Sequence, residues 1–381
     1  MNWSISLFRV KGIEIKIHLT FVLILIWAAY RWSVSTGEGF QGGVFGIVAT
    51  LLLFASVTLH EIGHSLQALK YNVPVQDITL LPMGGMARMG EIPENPLQEF
   101  KIAITGPVVN FLIAAVLVGV GLILNQQAVV SLGELYRSMG QVSWQGLLSY
   151  LTMTNLLLGA FNLIPAFPMD GGRILRAFLA GRMEYAKATQ IASKIGQGLA
   201  FLMGLWGFMS GSYTLVLIAI FVWMGAGGEN KEVQVKKSLG EITVREAMTD
   251  STQTLLGNDT LSKAVDLTLS SYQSTFPVVK WGSKQLEGLL TETDLLKHLT
   301  LKGGSEPVRS AMRTSFPTAQ LEELLFEVQS RMRSARVQAV PVVDKDGKLL
   351  GMLRSEDINE AYRFANLRPW SGETLASSHS W

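Results

Sequence analysis

Charged residues are missing from long stretches between Met1 and Gly228 and crowd the remainder of the chain. Gly39 to Leu59, Ile102 to Gly133, Ser138 to Met169 and Ile195 to Gly228 each run without a single charge. A helix of about 20 apolar residues spans the hydrocarbon of a bilayer, so each of the first three runs predicts one crossing with flanking loop. Ser210-Gly211-Ser212 interrupts the last and longest run with a turn signal and predicts two helices there. Ile17 to Tyr30, behind Arg9, Lys11 and Lys16, predicts one more, giving six in all. Ahead of it, Ile13, Ile15 and Ile17 alternate with Glu14, Lys16 and His18, which is the period of a strand. A short hairpin turning at Gly12 is therefore expected before a retained helix, in preference to a leader cleaved at Ser33-Val34-Ser35.

Lysine and arginine near helix ends orient such a bundle, because cytoplasmic loops carry the excess of both. Arg9, Lys11 and Lys16 precede the first helix, Lys70 and Arg88 follow the second, Arg173, Arg176, Arg182, Lys187 and Lys194 follow the fourth, and Lys231, Lys236 and Lys237 follow the sixth. In a six-helix arrangement all four groups fall on one side, leaving Arg31 and Arg137 for the other. A multi-pass cell-membrane protein with both termini cytoplasmic is the expectation.

Composition agrees, with 48% hydrophobic and only 16% charged residues. An ordinary soluble domain carries roughly 25% charged residues. The net charge of +2 gives no reason to expect a nucleic-acid partner. The absence of cysteine excludes disulfides, thiol catalysis and thiolate metal ligation, so any metal site must use histidine and carboxylate.

One pentad supplies that chemistry. His60-Glu61-Ile62-Gly63-His64 directly follows the run ending at Leu59. On a helix the two histidines are four apart and share a face, so both can ligate one Zn²⁺ while Glu61 takes a proton from water. Ionisable groups at membrane depth are costly and mark function, so the pentad points to metal-assisted hydrolysis in the bilayer. A third ligand is expected beside it. Asn162-Leu163-Ile164-Pro165-Ala166-Phe167-Pro168-Met169-Asp170-Gly171-Gly172-Arg173 closes the fourth helix on the same side. Its two prolines break the helix, and irregular backbone is tolerated in a membrane only inside protein or beside a water-filled cavity. Asp170 is the only acidic residue between Glu134 and Glu184, and is the expected third ligand.

The pentad and this Asp170 segment together resemble the site-2 protease family of intramembrane zinc metalloproteases, over most of the chain from Met1 to Gly228. The resemblance implies that His60, His64 and Asp170 bind zinc, that Glu61 is the general base, and that Asn162 helps hold the substrate backbone or the developing oxyanion. Gly106-Pro107-Val108-Val109-Asn110 resembles a further family motif. Leu81-Pro82-Met83-Gly84-Gly85-Met86-Ala87 resembles the family's membrane-inserted hairpin, which implies that Met83, Gly84, Gly85 and Met86 meet an unwound substrate along a strand edge. It also implies a transmembrane protein as substrate, such as a single-pass membrane-tethered transcription regulator or anti-sigma factor. Among the other polar and small residues, His18 is expected at the interface and not as a ligand. Asn110 and Asn155 are expected in hydrogen bonds between helices, and Gly106, Gly119 and Gly121 in close helix packing.

The charged part of the chain repeats itself. Val244-Arg245-Glu246-Ala247-Met248 recurs as Val308-Arg309-Ser310-Ala311-Met312, and Phe276-Pro277-Val278-Val279 recurs at the same offset as Val340-Pro341-Val342-Val343. Gly288 to Asp294 recurs as Gly351 to Asp357, its offset shorter by a single position. Two copies of one small α/β unit account for this. Each copy resembles a CBS domain and the tandem a Bateman pair, which implies an adenine nucleotide (ATP, ADP or AMP) bound between copies by a Thr/Ser-x-x-Asp motif. Thr291 and Asp294 fit the motif, whereas Arg354 replaces the threonine ahead of Asp357. A ligand-free module that rigidifies the protein, or that dimerises it through the CBS domains into a homodimer, is the alternative.

The fold expected is a polytopic α-helical membrane domain of six transmembrane helices with small membrane-associated β hairpins, followed by a soluble α/β tandem CBS domain. The membrane domain covers 1–228, a basic linker 229–240, the two repeats 241–303 and 304–367, and a disordered tail 368–381. A metal-ion transporter would repeat acidic or histidine residues along several helices, and a non-catalytic scaffold would break the pentad or lose the carboxylate. Neither pattern is present. The missing targeting signal and the tandem module suggest a prokaryotic membrane.

Overall fold

In the computed structural model, which describes residues 3–124, 131–271 and 273–367, the first hairpin turns at Lys11 and Gly12. Both take positive φ, 48° and 88°, as the favoured two-residue hairpin turns require. Strand β1 (Ser4–Val10) thus folds back on β2 (Ile13–His18), and a second hairpin pairs β3 (Val75–Leu81) with β4 (Gly84–Met89). The two hairpins are joined, which neither the alternation nor the motif indicated. Glu14–Ile17 of β2 pairs in parallel with Asp77–Leu80 of β3, making one four-stranded sheet in the order β1-β2-β3-β4. Parallel neighbours need a long crossover, which two packed helices supply: α1 (Phe21–Thr36) and α2 (Gly39–Leu69).

One face of this sheet buries Ile13, Ile15 and Ile78 against Ile62 and Leu69 of α2. Asp77, only 2% exposed, ties three strands together. It accepts a hydrogen bond from Lys16 Nζ of β2 at 3.0 Å, another from Arg88 Nε of β4 at 2.9 Å, and a further one from Arg88 Nη2. The Arg88 guanidinium, followed by Lys16, holds the Asp77 carboxyl below the usual carboxylate range.

Helix α3 (Pro96–Ile123) starts at Asn95, whose Oδ1 accepts from the backbone N–H of Leu97 and Gln98 while Pro96 occupies the first turn. Then come α4 (Leu132–Ser138), α5 (Trp144–Asn162), α6 (Asp170–Ala180), α7 (Tyr185–Met209) and α8 (Tyr213–Leu239). The turn at 210–212 separates α7 from α8. Among the described residues, α2, α3 and α8 are long and apolar enough to cross a membrane, and α1 is a shorter apolar helix of 16 residues. Leu112 and Val116 of α3 and Leu217 and Phe221 of α8 are exposed, an arrangement suited to lipid and a liability in water.

Contacts divide the chain into two units, the first ending at Lys231 and the second beginning at Glu232. The segment 229–240, expected as a linker, is helical as far as Leu239. Val235 and Leu239, four apart and so on one helical face, are buried in the core of the second unit. That unit contains α9 (Val244–Ala247), β5 (Leu255–Leu256), α10 (Leu261–Ser271), β6 (Thr275–Val279), β7 (Leu286–Thr291), α11 (Glu292–Lys302), a 3₁₀ turn (Val308–Ser310), α12 (Leu325–Ala335), β8 (Ala339–Val343), β9 (Leu349–Arg354) and α13 (Ser355–Leu367). The repeat is visible in β6-β7-α11 and β8-β9-α13.

The two cores, however, exchange their leading segments. Val244 is buried among Leu325, Val328, Val340 and Leu353 of the second copy, and Thr249 bonds Met352 through both backbone groups. Val308 and Ala311 are buried among Leu255, Leu261, Leu290 and Leu295 of the first, and Arg313 bonds Leu289 in the same way. Each leading segment is too short to bury its apolar side chains alone and finds its core in the other copy. The sequence repeats at 241–303 and 304–367 are therefore not the packed lobes. The tail 368–381 lies outside the described residues.

Because the Asp77 carboxyl titrates below its unfolded value, it adds stability above the ordinary range and loses that contribution as pH falls through the lowered one. Asp77→Asn should cost about 2 kcal/mol at neutral pH, the scale of lost charged hydrogen bonds. Thermal melting of detergent-solubilised protein should show that gap closing as pH falls below the ordinary carboxylate range.

Candidate metal centre

His60 and His64 lie one turn apart on α2, with ring centroids 4.7 Å apart and ring planes at 80°. What each Nδ1 touches decides which nitrogen is free. His64 Nδ1 lies 2.7 Å from the backbone carbonyl oxygen of Ile102, which can only accept, so Nδ1 carries the hydrogen and donates it. His60 Nδ1 donates likewise to Asn110 Oδ1 at 2.8 Å. Both partners belong to α3. In the neutral imidazoles each Nε2 is then the atom with the lone pair, and the two lie 3.0 Å apart.

Asp170 brings the third donor. Helix α5 stops at Asn162, the segment 163–169 carries Pro165 and Pro168, and α6 opens on Asp170. Its Oδ2 lies 3.1 Å from His64 Nε2 and 3.3 Å from His60 Nε2. Tetrahedral zinc, with bonds of roughly 2.0–2.1 Å, separates its ligands by about 3.3 Å. Three electron-pair donors this close repel one another unless a cation lies among them, and the side chains are largely buried, at 8%, 8% and 13% exposure. The donor set fits Zn²⁺, and it is the only such group of three among the described residues. Gly106 of α3 leaves the room: a Cβ there would lie 2.1 Å from His64 Nε2 and 2.6 Å from His60 Nε2.

A cleft of about 690 Å³ opens on this cluster. Glu61, Asn162 and Arg173 line it with the three donors, and so do Met83, Gly84, Gly85 and Met86 of the β3–β4 hairpin. Every membrane-unit residue singled out from the motifs for a site role is thus brought to one place. Strand β4 ends the sheet order, so its outer edge has no strand partner among the described residues. His18 stands apart, its Nδ1 2.7 Å from Thr20 Oγ1. Sequence reasoning missed the orienting role of Asn110 and what Gly106 packs against. The available signal was their four-residue spacing, which puts both on one face of α3.

In the second unit, Asp294 sits between a threonine and an arginine. Thr291 Oγ1 donates to Asp294 Oδ2 at 2.6 Å, and Arg313 donates to both carboxylate oxygens, at 2.5 and 3.3 Å. Burial raises the Asp294 pKa, but the Arg313 and Thr291 hydrogen bonds outweigh it and leave the carboxyl below its ordinary range. Asp357 has the same company in exchanged positions. Arg354 Nη2 donates to its Oδ1 at 3.2 Å and Thr249 Oγ1 donates to the same oxygen at 3.3 Å. By the offsets of the sequence repeat, Thr249 is the counterpart of Arg313, and Thr291 that of Arg354. The substitution at Arg354 is thus matched by a reciprocal one at Thr249.

The model of peptidase family M50 matches residues 48–204, and that of the CBS domain matches 244–301 and 308–363. A zinc metalloprotease of Methanocaldococcus jannaschii is 36% identical over 97% of this chain and 98% of its own. Stage IV sporulation protein FB of Bacillus subtilis is 28% identical over 50% of this chain and 57% of its own. The solved structure of a site-2 protease from Methanocaldococcus jannaschii is 42% identical, covering 60% of this chain and 95% of that one with a TM-score of 0.42. With its His-His-Asp cluster beside apolar spans and a CBS pair following in the sequence, the chain belongs to peptidase family M50, the site-2 proteases, and is an intramembrane zinc metalloprotease.

Proposed function

We propose that His60, His64 and Asp170 hold the zinc ion, that Glu61 is the general base and acid, and that Asn162 binds the reacting carbonyl. The observation that carries this is the convergence of three electron-pair donors, 3.0–3.3 Å apart, in one cleft with Glu61 and Asn162. Zinc, when bound, supplies a Lewis acid that polarises a carbonyl and lowers the pKa of water to about 7. Glu61 accepts a proton from the attacking water and, as the C–N bond breaks, returns it to the leaving amine nitrogen. One water is consumed, and one carboxylate and one amine result. The Asn162 amide donates a hydrogen bond to the carbonyl oxygen as charge develops there.

A helical substrate keeps its peptide bonds internally hydrogen-bonded, so the scissile segment must unwind before it can react. The outer edge of β4, from Gly84 to Met89, offers replacement partners by strand addition, with Met83 and Met86 as apolar flanks. The substrate is a membrane-tethered regulatory protein with a single span, and helix-breaking residues at its cleavage site favour it. Helices α1, α5 and α7 join α2, α3 and α8 in crossing the bilayer. On that reading both termini lie in the cytoplasm and the cluster toward the cytoplasmic face, which the distribution of lysine and arginine supports.

Adenine nucleotide binds the CBS pair through ribose hydroxyls at Asp294 and Asp357 and changes the cleavage rate. Each aspartate is held by an arginine, so binding requires a ligand with an anion to receive the released guanidinium. The reciprocal threonine and arginine pair supports two equivalent sites instead of one. A homodimer through the same pair is the competing role.

Glu61→Gln should lower cleavage of a single-span substrate in proteoliposomes by about 10³-fold, within the range for general acid–base groups. Its zinc content, measured by atomic emission, should remain that of wild type. In calorimetric titration of the full chain, AMP should bind more tightly than adenosine, and Asp294→Ala with Asp357→Ala should remove the binding. Absence of nucleotide binding to the wild type, with sedimentation of a dimer, would favour the dimerisation role.

A further inference from the structure

Helix α6 has only 11 residues, and its placement decides where the Asp170 carboxylate stands relative to the two imidazoles. Two contacts fix that placement. At its first turn, Gly171 packs against backbone: a Cβ there would lie 2.2 Å from Ile164 O and 2.4 Å from Leu163 O. At its second turn is Arg176, which is 2% exposed.

The Arg176 guanidinium ties α6 to two other helices. Nε and Nη2 donate to Glu99 Oε1 of α3 at 2.8 and 2.5 Å, and Nη1 donates to Glu229 Oε1 of α8 at 2.6 Å. The group lies 4.9 Å from the ring centroids of both Phe167 and Tyr185. Glu99 itself is 1% exposed, and its second oxygen has no hydrogen-bond partner among the described residues.

Such a cluster is a poor way to stabilise a fold. Removing a charge from water costs several kcal/mol, and well-packed apolar side chains of similar volume often hold helices as well or better. What buried charges can provide is a unique register. Here the register is between α6 and α3, and α3 is the helix that orients both histidines, through the Ile102 carbonyl and Asn110. Glu99 precedes Ile102 on the same helix by less than one turn, and so stands close to the carbonyl that holds His64.

We propose that Arg176 is a positioning residue for the metal centre: by locking α6 to α3 through Glu99, it holds Asp170 at ligand distance from His60 and His64. Glu229 makes that register answer to α8, just ahead of Lys231, where the membrane unit ends. This rests on the assignment of Asp170 as the third ligand. The fork geometry matters as well as the charge, because the two nitrogens that converge on Glu99 and the one that reaches Glu229 point in directions that a lysine ammonium cannot reproduce.

The test uses the full chain in detergent, with zinc affinity read by chelator competition and ligand geometry by the visible spectrum of the Co²⁺-substituted protein. Arg176→Gln should weaken zinc binding by about 10- to 100-fold, the scale for groups that orient ligands. It should also alter the cobalt bands, and Arg176→Lys should restore affinity only in part. A folded Arg176→Gln protein with wild-type affinity and an unchanged spectrum would overturn the proposal. Should that variant fail to fold, Glu229→Gln decides, with altered cobalt bands expected and unchanged ones overturning it. Asp170→Asn is the control that separates the two claims. If it binds Co²⁺ as wild type does, the ligand assignment fails; if it loses the metal while Arg176→Gln does not, only the positioning role fails.

Discussion

Three electron pairs held within 3.3 Å of one another, in a unit whose outer faces suit lipid, set the terms for much of the first unit. Such an arrangement is unfavourable until a cation neutralises it, so the surrounding backbone has to keep the donors together beforehand. Helix α2 supplies two of them at one-turn spacing, and α3 comes close enough to fix both rings only because residue 106 has no side chain. The break after α5 turns the chain so that a new helix begins at the third donor. These elements are arranged around an electrostatic problem as well as an apolar core.

The sheet bears on the proposed strand addition of a substrate. A peptide leaving a helix in a membrane needs partners for its N–H and C=O groups, and few surfaces there can offer them. Joining two hairpins through the parallel β2–β3 pair anchors β3 on one side and leaves β4 at the end of the sheet, bordering the cleft. Asp77, with Lys16 and Arg88, ties β4 back to the strands behind it, so the exposed edge is held firmly while remaining open. The donor cluster and the open strand edge thus belong to separate layers of one unit, helices and sheet, and meet at one cleft.

Much of this was legible in the chain. Uncharged runs marked apolar helices, the pentad at the end of one run marked two ligands, and the isolation of Asp170 between Glu134 and Glu184 marked the third. What stayed hidden depends on long-range pairing. Nothing local in Glu14–Ile17 says that it will lie beside Asp77–Leu80, and a backbone carbonyl such as that of Ile102 has no sequence signature. The arginine at position 354 read as a departure from a motif until Thr249, from the start of the first copy, was found against the same aspartate. Arg176 looked like one member of a basic cluster that orients the helices, whereas it is buried among three of them.

The exchange of leading segments between the CBS copies has an evolutionary side. Tandem repeats ordinarily arise by duplication of something already able to fold, and can be lost one at a time. Here residues 244–249 complete the core of the second copy and residues 308–313 that of the first. Neither copy is self-sufficient, so a change in the core of either meets residues of the other. Each aspartate meets one threonine and one arginine, one of them from its own copy and the other from the other copy's leading segment. The pair has become a single heritable part.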